Sequence, residues 1–291
     1  MSRTILVTGA TGSVSSQLIQ ALLISKADVR LRALVRSPQK AAPLIASGVE
    51  AVMADLDEPE SLVPIFEGVD DLWLLTPPGP RAPENNMNAI WAARNAGVKR
   101  VVRMSAIGAA YDAPTRNGRL HALSDQELKA SGLRWTILRP HFFMQNLLGF
   151  AAGIAASGNF YLNTAQGRLG LIDTRDIAAL AAAILLDESK RHDGQIYTPT
   201  GPQSLSMPEV AEGLTSVLGK TVRFVSVPDE AVRSGSIQAG LTPWLAGMMV
   251  EYGRAYGAGW GDFTTTHVKD VTGRDARGLP EFAREQWPVA A

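Results

Sequence analysis

Thr4-Ile5-Leu6-Val7-Thr8-Gly9-Ala10-Thr11-Gly12 reads as a strand that runs straight into a glycine turn, and a helical stretch from Ser13 to about Ser25 follows. β-Branched and other apolar residues favour extended chain, and Gly9 permits a tight turn after it. Gly12 lets backbone N–H groups approach a ligand, and the positive end of the following helix favours negative charge. A strand, closely spaced glycines and a helix in that order form a site for a nucleotide diphosphate.

The next strand, Val29 to Val35, ends at Arg36. A site specific for NAD normally carries an acid about 20 residues past the glycines, to accept hydrogen bonds from the ribose hydroxyls. Here the acid is missing; Arg36 stands in its place and Lys40 follows one helical turn later. Two cations converging on one point suit a 2′-phosphate, so the expected cofactor is NADP(H), preferred over NAD(H). The plain alternative is two surface cations flanking a helix that starts at Ser37-Pro38.

At 291 residues the chain has room for a full doubly wound domain and a smaller lobe. Its 46% apolar and 19% charged residues describe an ordinary globule. A formal net charge of zero gives no electrostatic case for nucleic acid or an anionic membrane. With no cysteine, disulfides, thiolate nucleophiles and thiolate-zinc sites are excluded, and the four histidines show no ligand spacing, so no metal is expected. The first residues already read as a strand, and the longest apolar run, Ile177 to Leu186, is too short to span a bilayer. These features predict a cytoplasmic protein, and they leave monomer or homodimer open.

Strand and helix signals alternate through the first half, which predicts an α/β fold: a Rossmann-type doubly wound parallel sheet. After Val49–Met53 comes Asp55-Leu56, then a helix to Gly68 capped at Asp57. A strand at 71–75 stops at Thr76-Pro77-Pro78-Gly79-Pro80, a rigid loop at a carboxyl strand end. A helix over 83–96, a strand over 100–104 ending at Ser105, a helix over 120–130 and a strand over 134–138 ending at Arg139-Pro140 complete the series. Residues 1–150 are thus assigned to a cofactor domain, its sheet completed from 169–200. Residues 151–291 form a mainly helical substrate lobe. One helix is expected over Phe142–Ala156, a strand over 169–172, a helix capped by Asp173 to Leu186, a strand over 195–198, a helix over 207–218 and a strand over 222–227.

With these pieces in place the chain resembles the NmrA-like branch of atypical short-chain dehydrogenases/reductases over nearly its full length. The resemblance rests on Val7–Gly12, Leu34–Lys40, Asp55-Leu56, Gly97–Val102, Trp135–Pro140, Ile172–Ala178 and Phe282–Glu285. It implies either an NADP-sensing regulator or a reductase of quinones, triphenylmethane dyes or azo dyes. It also implies that Gly9, Thr11, Gly12, Ser13, Val14, Arg36, Lys40, Asp55, Leu56, Thr76, Pro77 and Ser105 line the dinucleotide, with Pro140 beside them. One departure is Ser15, which stands where the fingerprint has its third glycine. The other concerns the Tyr-x-x-x-Lys pair of ordinary members: alignment puts Asn117 at the tyrosine and His121 at the lysine.

An imidazole titrates near neutrality, so His121 is a candidate both for the nicotinamide ribose and for proton donation, against a plain polar helix residue. His141, just after Pro140, is the second candidate donor. Phe142 and Phe143, with Trp244, Met248 and Tyr252 from the late lobe, suit a small flat aromatic substrate, although each alone reads equally well as core. Electrophilic acceptors of this kind need no strong acid, so the leading expectation is NADPH-dependent hydride transfer to a quinone, azo dye or related dye. A non-catalytic sensor is the alternative, and an epimerase would need the missing tyrosine.

Overall fold

A computed structural model describes residues 2–287 of the chain. β1 (Arg3–Val7) is buried from Thr4 onward, as a strand covered on both faces must be. It enters α1 (Ser13–Ile24), and the alternation continues through β2 (Val29–Val35), α2 (Pro38–Ala46), β3 (Glu50–Met53), α3 (Pro59–Phe66), β4 (Asp71–Leu74), α4 (Ala82–Asn95), β5 (Arg100–Met104), α5 (Arg116–Ala130) and β6 (Arg134–Leu138). A 3-10 turn over Met144–Phe150 leads to α6 (Ala151–Ser157), β7 (Asn159–Leu162), β8 (Arg168–Leu169), α7 (Thr174–Leu186), β9 (Gln195–Tyr197), β10 (Leu205–Ser206) and α8 (Met207–Leu218). β11 (Arg223–Ser226), α9 (Asp229–Gln238), α10 (Pro243–Gly257), α11 (His267–Thr272) and α12 (Leu279–Gln286) end the described chain.

Seven strands form the central sheet in the order β3-β2-β1-β4-β5-β6-β9, every pairing parallel. The order reverses direction between β1 and β4, and a crevice opens there at the carboxyl ends of the strands. One face packs α1 and α7 around Leu18, Ile19, Trp73 and Leu180; the other packs α3, α4 and α5 around Leu62, Phe66, Ile90 and Leu128. A third core, built on Met144, Phe160, Leu214, Tyr256 and Phe282, holds the late lobe together. The chain returns to the first lobe after residue 151, because α7 lies on α1 and β9 extends the sheet beside β6. No helix among the described residues is long and apolar enough to cross a membrane.

Four elements depart from the sequence reading, one of them the strand expected over 169–172, which is only the two-residue β8 with Ile172 in a lone bridge to Phe143. Phe142–Ala156 is not one helix: the Phe142 carbonyl accepts from Ile172 N–H at 2.9 Å and the Ile172 carbonyl accepts from Met144 N–H at 2.8 Å. This bridge holds Phe142 and Phe143 extended, and helix begins only behind them. α5 starts at Arg116 instead of near Leu120, because the Thr115 hydroxyl accepts from Gly118 N–H at 3.1 Å and caps it. Asp57 does not cap α3, whose N-cap position is Glu58 with no side-chain bond; Asp57 instead donates its own N–H to the Asp55 carboxylate at 3.1 Å. Asp173 does cap α7, accepting from Arg175 N–H at 2.9 Å.

Candidate active site

At the end of β1 the chain turns through Gly9, held at φ +59°, the left-handed region that favours glycine. A Cβ at Gly9 would stand 2.9 Å from Leu75 Cδ2, and one at Gly12 would stand 3.1 Å from the Gly9 carbonyl oxygen. Behind them α1 begins with no side-chain cap and no acid in its first turn, which leaves its first N–H groups and positive end for an anion. Ser15, at the third glycine's position, is fully buried; its hydroxyl accepts from the Trp73 indole at 2.9 Å and donates to the Thr8 carbonyl at 3.0 Å. The serine therefore fastens α1 to β1 and β4 where glycine would only allow close approach.

A single cavity of about 570 Å³ starts at this turn and is lined by all the residues expected at a dinucleotide. Arg36 and Lys40 stand exposed at one end, with no ion-pair partner among the described residues. Beside them the Leu56 carbonyl accepts from Asn88 Nδ2 at 2.8 Å, and further along the Thr76 hydroxyl accepts from Asn86 Nδ2 at 2.8 Å. The glycine cradle and the open helix end fit a dinucleotide, and the two cations stand unpaired at one end of its cavity.

The inner end is lined by Ser105, Ile107, Asn117, His121, Pro140 to Phe143, Asn146, Met248, Met249, Tyr252 and Tyr256. α10 supplies the last four; its positions 248, 252 and 256 recur at helical spacing on one side. Trp244, one turn earlier on that side, is a correction: it lies outside the cavity, beneath the Arg116 guanidinium at 5.7 Å. Arg116 is itself drawn there by Glu251, to which it donates at 3.0 Å. Tyr256 and Asn146 were missed in the sequence, though the spacing of Met248 and Tyr252 points to Tyr256.

His121 and His141 both line the cavity but differ in their bonds. Arg103 donates to His121 Nδ1 at 3.0 Å, and burial together with the nearby Arg103 and Arg139 charges holds the ring's pKa well below its ordinary value. His121 is therefore uncharged at neutral pH, contrary to the expectation of an imidazole that titrates there. His141 is fully engaged by backbone: Nδ1 accepts from Phe142 N–H at 2.7 Å and Nε2 lies 2.9 Å from the Gly261 carbonyl. It stacks on Tyr256 at 5.7 Å, and burial pushes its pKa down to about 4. That environment holds His141 uncharged at neutral pH and pins it between the lobes, both ring nitrogens engaged by backbone groups. Asn117, at the family's tyrosine position, donates to the Tyr252 hydroxyl at 3.0 Å, so a phenol from α10 reaches the place where α5 lacks one. Burial, outweighing the bonds from Asn117 and Thr115, raises the Tyr252 pKa and keeps it protonated.

The chain is 40% identical over 284 residues to an NAD(P)H azoreductase of Xenophilus azovorans, covering 96% of each. In structure it matches an NADPH-dependent quinone oxidoreductase of Escherichia coli solved with NADPH (TM-score 0.87, 26% identity, 95% of this chain and 97% of that one). It likewise matches a Citrobacter sp. triphenylmethane reductase complexed with NADP(H) (TM-score 0.86, 26% identity, 97% and 99% covered). The model of the NmrA-like family matches residues 1–259, the whole of the sheet and most of the late lobe, and to that family the chain belongs.

Proposed function

We propose that the chain is an NAD(P)H-dependent reductase that prefers NADPH and reduces a planar aromatic acceptor, a quinone, azo dye or related dye. The observation that carries this reading is the continuity of one cavity, from the glycine turn and Arg36 to the aromatic face of α10. Its relatives in sequence and structure are named as reductases of such acceptors. The residues up to about 150 serve the dinucleotide, and the late lobe closes over the acceptor.

The bound nicotinamide supplies the hydride. The chain's own part is to bind, orient and dry the acceptor. Arg36 and Lys40 hold the 2′-phosphate, and the first turn of α1 with Gly9 to Val14 holds the diphosphate. Phe142, Phe143, Met248 and Tyr252 form apolar walls against which a flat ring lies, which supplies proximity and excludes water. The inner end offers neutral polar groups (Asn117, His121, Asn146) and no ionised side chain of its own lining. Such walls favour an acceptor without a formal charge. The reduced product takes its proton from water or from a weakly acidic group such as the Tyr252 phenol, because electrophilic acceptors need little acid assistance.

A sensor that binds NADP(H) without turnover is favoured by one observation, the Asn117/His121 pair on α5. Steady-state loss of NADPH absorbance against a benzoquinone, a naphthoquinone, an azo dye and a triphenylmethane dye separates the two readings. Acceptor-dependent NADPH oxidation is expected. Tight NADPH binding with no turnover across the panel would establish the sensor.

A further inference from the structure

Arg103 lies within the apolar run of β5, between Val102 and Met104, and is completely buried. A charge on a strand covered on both faces requires partners on every side. They are Asn86 Oδ1 of α4 at 3.0 Å, the Asp125 carboxylate of α5, and His121 Nδ1 of α5 at 3.0 Å. Asp125 is shared: it also accepts from Arg139 at 2.8 Å and from the Ser105 hydroxyl at 3.0 Å. Two guanidiniums around one carboxylate leave an excess positive charge behind the inner end of the cavity.

We infer that Arg103 is a positioning residue, which fixes His121 as an uncharged imidazole carrying its hydrogen on Nε2 and offers that N–H to whatever lies in the cavity. The chemistry admits one arrangement. A guanidinium has only donors, so Nδ1 must present its lone pair, and the single ring hydrogen then resides on Nε2. Nε2 has no protein partner among the described residues, and the ring lines the cavity. The ionisable groups around the ring are two arginines, one carboxylate that both arginines hold, and a protonated phenol. Arg103 from β5 and Arg139 from the end of β6 both oppose its protonation, and Asp125 is already held by both arginines. Tyr252 of α10, reached through Asn117, stays protonated, and α4 turns the uncharged amides Asn85, Asn86 and Asn88 inward while Glu84 and Arg94 are exposed.

A free imidazole alternates between donor and charged forms around neutrality, whereas this one remains a donor throughout. The excess positive charge behind it polarises the N–H and favours negative charge developing on an acceptor oxygen or nitrogen, or a lone pair of the nicotinamide ribose. That use of the ring rests on the reductase reading; the tautomer does not.

The test is long-range proton–nitrogen NMR of the full-length protein labelled at histidine, with and without NADP⁺. The His121 signals are assigned by their loss in His121→Gln, and the sample is titrated from about pH 5 to 8. A ring with unprotonated Nδ1, protonated Nε2 and no titration in that window is expected. A ring that is protonated on Nδ1, or that titrates near its ordinary value, overturns the assignment in wild-type protein alone, whether or not any variant folds. In Arg103→Met the ring's titration should move up toward its ordinary value, and Arg103→Lys should restore part of the suppression. The wild-type kcat should change less than about twofold over the same range, and the kcat of Arg103→Met should acquire a pH dependence. If the wild-type tautomer is as stated but no acceptor is reduced, the reductase reading fails and the positioning role stands.

Discussion

Arg36 is the residue on which the proposed preference for NADPH turns. It is exposed, stands at the end of β2 where an acid would serve the ribose hydroxyls, and has no carboxylate partner among the described residues. Arg36→Ala should weaken NADPH binding by about ten- to a hundredfold, the worth of one charge-assisted contact, and leave NADH nearly unchanged. Titration of both cofactors reads this directly, and equal losses contradict the 2′-phosphate assignment. Ser15→Ala strands the buried Trp73 indole N–H. It should destabilise the fold by about 1–3 kcal/mol, visible as a lower urea midpoint. His141 gives a pH dependence whose sign follows from its low pKa. Between its ordinary 6.5 and about 4 the unfolded chain takes up a proton that the folded chain refuses, so stability falls as pH drops through that interval. The contribution is complete above the upper value, gone below the lower one, and on the order of 3 kcal/mol. His121 and His192, also depressed by burial, act in the same sense. Urea midpoints at pH 5 and 7 should therefore differ less in His141→Asn than in the parent. The glycine turn and Arg36 were legible because their chemistry is local. The neutrality of the two histidines was not, since it depends on burial by elements distant in the chain and, for His121, also on the Arg103 charge 18 residues away.

Among the elements, α10 is the one that, on the proposed reading, decides what acceptor fits. Met248 and Tyr252 line the cavity from it while Trp244, on the same side, is diverted to Arg116. Met248→Trp should raise the acceptor KM several-fold and leave NADPH affinity unchanged, because it narrows only the inner end. Steady-state kinetics with direct cofactor titration checks it, and a matched loss of both would mean that α10 instead shapes the dinucleotide site. The bounds of β2, β5, β6 and α8 agree with the sequence reading because each has strong local patterning and a clear stop signal. Phe142 and Phe143 defeated it, since an apolar run reads alike as helix or strand and only pairing with Ile172 settles the matter. Thr115 was the overlooked signal for α5: a capping residue five positions before the helix was expected to begin.

At the scale of the whole molecule, the chain passes from the first lobe to the second and back, so that α7 and β9 belong to the sheet while the residues around them belong to the lobe. The alternating pattern made the doubly wound sheet readable. The packing of the late lobe was not readable, because short strands such as β8 and β10 exist only through each other. That packing brings an aromatic wall to the carboxyl edge of the sheet and makes one cavity of two halves. The central claim is that hydride passes inside this cavity from nicotinamide to a flat acceptor. Stopped-flow mixing of NADPH-loaded protein with a naphthoquinone, following the nicotinamide absorbance, tests it most directly. The account predicts rapid loss of the bound NADPH signal, slowed when the transferable C4 hydrogen of the nicotinamide is deuterium. Bound NADPH that persists in the presence of the quinone and of the azo and triphenylmethane dyes would contradict it.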